Sequence, residues 1–178
     1  MLTRHPLRLT VVVLALMAGL AFGQGLNPLK RGLMTVSGGV SWAQISFDGE
    51  DGGSLLSLTP SWGVFVTGNI QAIVGLDYTG FSPPEGDSWS STALVVGGRY
   101  YLPLDFGPVY AGVLFNTISF SFEGAEAVNS LDIQAGYLKF FNDNLALDLG
   151  LAYDLGLGDN KTAILTLGGS AVVFFSLP

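Results

Sequence analysis

"LALDLGLAYDLGLG", residues 145–158, carries a bulky apolar side chain at nearly every second position. Leu145, Leu147, Leu149, Leu151, Tyr153 and Leu155 form one set, and Ala146, Asp148, Gly150, Ala152 and Asp154 form the other. A period of two is that of a β-strand, whose successive side chains point to opposite faces. Which of the two faces meets water decides what kind of protein this is.

Working outward, the same alternation recurs. Ile70, Ala72, Val74, Leu76 and Tyr78 alternate with Gln71, Gly75, Asp77 and Thr79. Ala163, Leu165, Leu167, Ala171 and Val173 face away from Thr162, Thr166, Gly168 and Ser170. Eight strand-like segments follow from this pattern, at about 33–47, 54–67, 70–80, 88–102, 108–122, 128–141, 145–156 and 161–175. No linker or break in composition separates them. The connections alternate in kind. "DGEDGG" (48–53), "SPPEGD" (82–87), "EGAEA" (123–127) and "GLGDN" (156–160) hold eight of the fourteen acidic residues. "GN" (68–69), "PLDFG" (103–107) and "NDN" (142–144) are mostly tighter turn sequences. An up-and-down antiparallel sheet gathers the acidic loops at one end and the tight turns at the other.

The 178 residues suffice for one domain, nearly half of them are hydrophobic, and only 12% are charged. A soluble domain usually carries about a quarter charged residues. Arg4 and Arg8 followed by "LTVVVLALMAGLAF" (9–22) and small residues at Ala21 and Gly23 read as a signal peptide spanning 1–23. Residues 24–32 then form a short leader, and 33–178 form the barrel domain. Cleavage after Gly23 leaves five basic against fourteen acidic residues, a formal charge of −9, which disfavours nucleic acid. Export without any cysteine leaves the fold no disulfide to rely on.

Two closed barrels fit eight antiparallel strands. A soluble carrier turns its apolar set inward, whereas a membrane barrel turns it outward to lipid. A water-facing sheet would be rich in Lys, Glu and Arg. Here the polar set is Gly, Ser, Thr, Asn, Gln and a few Asp, with Arg99 and Lys139 the basic residues inside strands and Lys161 at a strand start. The small polar set is therefore expected to fill the lumen and the large apolar set to face hydrocarbon. A lipid-exposed sheet edge leaves backbone groups unpaired at several kcal/mol each, so the sheet must close. Interfacial aromatics are expected at both rims. Trp42, Tyr78, Phe81, Trp89, Phe120, Phe122 and Tyr153 lie toward the loop end, and Tyr100, Tyr101, Tyr110, Phe140, Phe141, Phe174 and Phe175 toward the turn end. Pro60 interrupts the second strand, where a bulge is expected.

On "VGGRYYLPLDFGPVYAGVLF" (96–115) and "NDNLALDLGLAYDLGLG" (142–158), the chain resembles the small eight-stranded OmpA-type outer-membrane β-barrels of Gram-negative bacteria. The resemblance covers about 33–175 and implies an all-β, eight-stranded, antiparallel up-and-down transmembrane barrel. Members of that family commonly end on a terminal aromatic that the insertion machinery reads, whereas this chain continues past Phe175 as "SLP". It also implies outer-membrane lipids and, during biogenesis, the barrel-insertion machinery as partners, with a monomeric protein in the membrane.

Outer-membrane barrels that are acyltransferases, phospholipases or proteases rely on His-assisted chemistry. The one histidine here, His5, lies in the expected signal peptide, so no imidazole activates the Ser and Thr hydroxyls. No catalytic, cofactor or metal site is expected. "DGEDGG" lacks the spacing and closing Glu of an EF-hand loop. Arg99 shares the parity of Ala93, Val95 and Gly97 and faces the lumen near the turn end. Asp77, Asp132, Asp148 and Asp154 have inward parity on other strands, and a buried cation should pair with one or more of them. That cluster reads either as a structural ion pair bracing a filled interior or as a charged constriction in a narrow water path. Lys139 has outward parity near the turn-end rim, where its ammonium can reach the headgroups. The expected role is mainly structural, in membrane integrity. A narrow porin-like channel for water, ions or small solutes is the alternative, and adhesion or ligand binding through the acidic loops is the third.

Overall fold

A computed structural model describes residues 28–47, 50–121, 124–158 and 163–176. The expected signal peptide and most of the leader lie outside the described residues. The alternating segments form ten strands: β1 (Leu33–Gly38), β2 (Val40–Phe47), β3 (Glu50–Leu58), β4 (Ser61–Phe65), β5 (Ile70–Ser82), β6 (Trp89–Leu102), β7 (Val109–Phe120), β8 (Val128–Asn142), β9 (Leu145–Gly156) and β10 (Ala163–Ser176). They make eight staves, because β1 with β2 and β3 with β4 each continue one another across a short break. Every neighbouring pair is antiparallel. The first stave meets the last through β1 and β10, from Leu33↔Ser176 to Gly38↔Ala171, and this closes the barrel.

The bulge expected at Pro60 is absent. Leu58↔Tyr78 and Ser61↔Gly75 belong to one register, so no residue is inserted between them. Proline has no N–H, so one ladder bond is lost there, while its carbonyl still accepts the Leu76 N–H at 2.9 Å. On the other flank the Thr59 N–H reaches the Gly39 carbonyl at 3.0 Å. The Gly39 N–H goes to the Thr59 hydroxyl at 3.1 Å rather than to a backbone carbonyl. The ladder therefore thins at Gly39 and at Thr59–Pro60 together, at one level of the wall. The register shifts lie elsewhere, between Ile45 and Ser46 and between Phe140 and Asn142.

Asparagine side chains tie two of the tight turns to the next stave. Asn69 Nδ2 donates to the Tyr101 carbonyl at 2.8 Å, and Asn144 Nδ2 to the Phe174 carbonyl at 2.9 Å. The outward set is exposed along the wall, including Val74, Leu76, Leu94, Val96, Val113, Ile133, Leu151, Leu165 and Leu167. Exposed apolar surface on this scale marks a chain that is solvated by hydrocarbon.

The interior corrects one expectation. At the turn end the lumen holds large apolar side chains: Leu33, Phe65, Tyr101, Leu138, Phe140, Val172 and Phe174 are all buried together. Phe140 stacks against Phe174 with ring centroids 4.9 Å apart, and Phe65 against Tyr101 at 5.2 Å. Tyr101, Tyr110, Phe140 and Phe174 thus belong to a core and not to the interfacial rim. Inward parity decides this: the rings point into the bore and pack there, excluding water where small polar groups would leave voids. Tyr100 and Phe141 do lie outward and exposed, joined by Phe106, whose carbonyl accepts the Tyr137 hydroxyl at 2.6 Å.

Candidate functional site in the lumen

Above the aromatic core, inward positions of β6, β7, β8 and β9 converge on one polar cluster. Arg99 Nη1 donates to Asp148 Oδ2 at 2.8 Å, across the bore from its own strand. Arg99 Nε and Nη2 both donate to Gln134 Oε1, at 3.0 and 2.8 Å. The guanidinium carbon lies 4.3 Å from the centre of the Tyr110 ring, a cation–π contact. Tyr110 in turn donates its hydroxyl to Asp148 Oδ1 at 2.8 Å. Both carboxylate oxygens of Asp148 are therefore satisfied, and the arginine is held on an edge, a face and a charge.

The glycines explain why these groups fit. A β-carbon at Gly112 would lie 2.7 Å from Arg99 Cγ, one at Gly136 2.5 Å from Tyr110 Cζ, and one at Gly150 2.7 Å from Tyr110 Oη. Gly136 and Gly150 are direct cross-strand partners. Three inward glycines on adjacent staves thus hollow out the volume that Arg99 and Tyr110 occupy.

The other acidic residues sit nearer the loop end and do not share one contact network. Asp132 Oδ2 accepts Gln134 Nε2 at 2.8 Å, which links it to Arg99 through the amide, and its Oδ1 is buried without a hydrogen bond. Asp154 Oδ2 accepts from Ser130 at 2.7 Å and Asn116 at 3.3 Å. Asp132 and Asp154 are cross-strand partners, so two carboxylates stand side by side in the bore. Asp77 faces inward opposite Ala93, away from Arg99. Lys139 lies on the outward face of β8 opposite Leu147. A second small network links the cluster to the core: Tyr101 donates its hydroxyl to Gln71 Oε1 at 2.8 Å, and Gln71 Nε2 donates to the Thr35 hydroxyl at 2.7 Å.

The sequence does not mark Gln134 or Gln71 as site residues, and it reads Tyr110 as a rim aromatic and not as a partner of Arg99. Parity alone placed Gln71 inward. The pairing of Tyr110 with Gly136 and Gly150 on two neighbouring staves is visible only once the registers are known. Between the cluster and the loop end lies a cavity of about 450 Å³, with Arg99, Tyr110, Gln134 and Asp148 as its floor.

Neither a family model nor a curated protein matches the chain. Solved structures do. Neisserial surface protein A (NspA) superposes with a TM-score of 0.50 at 16% identity, covering 80% of this chain and 96% of that one. OprG, an outer-membrane protein of Pseudomonas aeruginosa, gives 0.47 at 13% identity over 82% of this chain and 90% of its own. Ail, the attachment invasion locus protein of Yersinia pestis, gives 0.47 at 15% over 82% and 99%. This chain has the fold of the small eight-stranded bacterial outer-membrane β-barrels.

Proposed function

We propose that the protein is a non-conducting, mainly structural component of the bacterial outer membrane, with its tight turns in the periplasm and its acidic loops outside. The observation that carries this reading is the aromatic core at the turn end. Phe65, Tyr101, Leu138 and Phe174 are each at most 2% exposed, and together they fill the bore below Arg99. The Arg99–Asp148–Gln134 bridge spans the bore directly above them. A narrow channel would need a continuous wet path through both layers. The paired, hydrogen-bonded state of Arg99 favours a brace over a gate, because three of its N–H donors already go to Asp148 and Gln134.

Planar-bilayer recording of the folded protein tests the proposal. Electrical silence is expected, whereas steady ohmic conductance from the unaltered protein would refute it. The combined variant Phe65→Ala, Tyr101→Ala, Phe174→Ala serves as the positive control. Provided that it still folds, removing three rings from the bore should produce measurable current.

A further inference from the structure

The wall is not paired all the way up. The β1–β10 ladder ends at Gly38↔Ala171, and among the described residues no pairing joins β2 to the Ala163–Ser170 half of β10. β2 pairs with β3 from Val40↔Leu58 to Phe47↔Glu50, so the β2–β3 hairpin is held on one side only. On β10 the missing neighbour shows in exposure. From Ser170 to Phe174 its residues alternate in burial, whereas Ala163 to Gly169 are exposed at every position, on both faces.

Hydrogen-bonding direction alternates along a strand. The Thr59 N–H reaches the Gly39 carbonyl, so Gly39 faces β3, and Val40, Trp42 and Gln44 turn their N–H and C=O groups the other way. The Phe174 N–H reaches the Asn144 carbonyl, and the same alternation turns those of Leu165, Leu167 and Gly169 away from β9. Both rows of backbone donors and acceptors therefore point into the gap. The side chains beside them are apolar, with Val40, Leu165 and Leu167 at 76%, 70% and 71% exposure. In hydrocarbon each unpaired backbone group costs several kcal/mol. Acyl tails can cover the side chains but supply neither donor nor acceptor.

The hairpin does not close onto its own β10. Gly39 gives its N–H to the Thr59 hydroxyl, Pro60 has none to give, and the register shifts between Ile45 and Ser46. Such irregularities bend a strand and hold its edge off the wall. The two open edges run in opposite directions, because β2 continues β1 and β1 is antiparallel to β10. A single inserted strand would be antiparallel to one edge and parallel to the other. A second copy of the barrel fits both. With a twofold axis along the membrane normal and the two gaps facing, each β2 lies beside the other copy's β10, antiparallel and at the same depth. Below the gap the outward side chains nearest that axis are Val36, Ala171 and Val173, apolar and small enough for the two walls to approach.

We propose that two copies of this chain dimerise in the outer membrane by exchanging edges, β2 of each pairing with β10 of the other, in place of the monomer that the family resemblance implies. Continuing the β1–β10 register across the seam sets Val40, Trp42 and Gln44 opposite Gly169, Leu167 and Leu165 of the second copy, each pair exchanging both N–H···O bonds. Trp42 then lies against Leu167 on the lipid face, an aromatic–aliphatic cross-strand contact. Ser41 and Thr166, which line the cavity above Arg99, no longer border hydrocarbon. Each copy keeps its own aromatic core below, so the dimer and the closed bore stand independently.

The test exploits the absence of any native cysteine. Ser41→Cys and Gly168→Cys are made in separate full-length chains, mixed in vesicles of zwitterionic lipid at a low protein-to-lipid ratio and oxidised. The seam makes these positions a non-hydrogen-bonded pair, whose short Cα spacing suits a disulfide, and a side chain at 168 meets nothing within 4 Å. The mixed product should exceed either self-linked product at least tenfold. With both substitutions in one chain, oxidation should link chains to one another. Leu167→Pro in the Gly168→Cys chain removes an N–H that points into the gap and spares the β9 ladder. It should cut the mixed product at least tenfold while circular dichroism still reports a folded barrel, and Trp42→Pro in the Ser41→Cys chain should do the same from the other edge. A disulfide formed only within single chains would show that β2 zips onto its own β10 and would overturn the proposal. Mixed and self-linked products in statistical proportion would overturn it too, as would a mixed product that neither proline weakens. None of these outcomes bears on conductance, which is read separately.

Discussion

Replacing Arg99 by methionine is the perturbation that weighs most on the lumen cluster. Methionine keeps much of the stem volume but removes three hydrogen bonds, an ion pair and the contact with the Tyr110 ring. The side chains of Arg99 and Asp148 are only 17% and 7% exposed, so screening by water is weak. Asp148 would keep one hydrogen bond, from Tyr110, with its charge uncompensated. Breaking a buried pair from one side costs about 3–5 kcal/mol. The double variant Arg99→Met with Asp148→Asn removes both charges and leaves an amide oxygen for Tyr110, so its loss should be only about 1–2 kcal/mol. The assay is reversible urea unfolding in lipid vesicles, followed by tryptophan fluorescence, since Trp42 and Trp62 are exposed on the outer face of the wall. The signature is non-additive: the double variant must be more stable than Arg99→Met alone. A single variant within about 1 kcal/mol of the parent, or a double variant worse than either single, would refute a buried, mutually satisfied pair.

Gly150→Ala places a methyl 2.7 Å from the Tyr110 hydroxyl oxygen, with the next-nearest atom, the Ala135 carbonyl oxygen, at 3.3 Å. It should destabilise by about 1–3 kcal/mol, and Tyr110→Phe in the same chain should recover part of that in the same unfolding assay. Phe174→Ala empties a 1%-exposed site of the turn-end core and should cost about 3–5 kcal/mol, a smaller loss indicating that the rings do not pack as one body. Val96→Arg puts a cation on the lipid face midway along β6 and should cost about 2–4 kcal/mol in a bilayer. Unchanged stability there would mean that the face is wet.

Much of the wall could be read from the chain before any coordinates. Alternation in residues 70–80 and 145–156 shows strand, facing and the inward placement of Asp77, Asp148 and Asp154, and parity with Ala93, Val95 and Gly97 does the same for Arg99. Alternation carries no information about height in the bore, however. It could not say that Phe174 and Tyr101 fill the turn end while Asp154 lies nearer the loop end, because both kinds of residue share inward parity. Nor could it choose among the aspartates for Arg99. That choice depends on cross-bore distance, set by the three registers that connect β6 to β9, and on the room made by Gly112, Gly136 and Gly150. At Pro60 a missing donor suggests an inserted residue, but the register runs straight through it: one ladder bond toward β5 is lost while the proline carbonyl keeps the other, from the Leu76 N–H.

The turn-end core has one more consequence. Leu33 and Thr35 come from the first stave, Val172 and Phe174 from the last, and they pack in the same buried layer as Phe65, Tyr101 and Phe140. Zipping the two ends of the polypeptide together and assembling that layer are consequently a single event. An incomplete chain short of β10 would lack not only its final ladder but also the keystone of its hydrophobic interior. Such a chain should remain an unlatched sheet, and a synthetic strand supplied in trans should restore both at once.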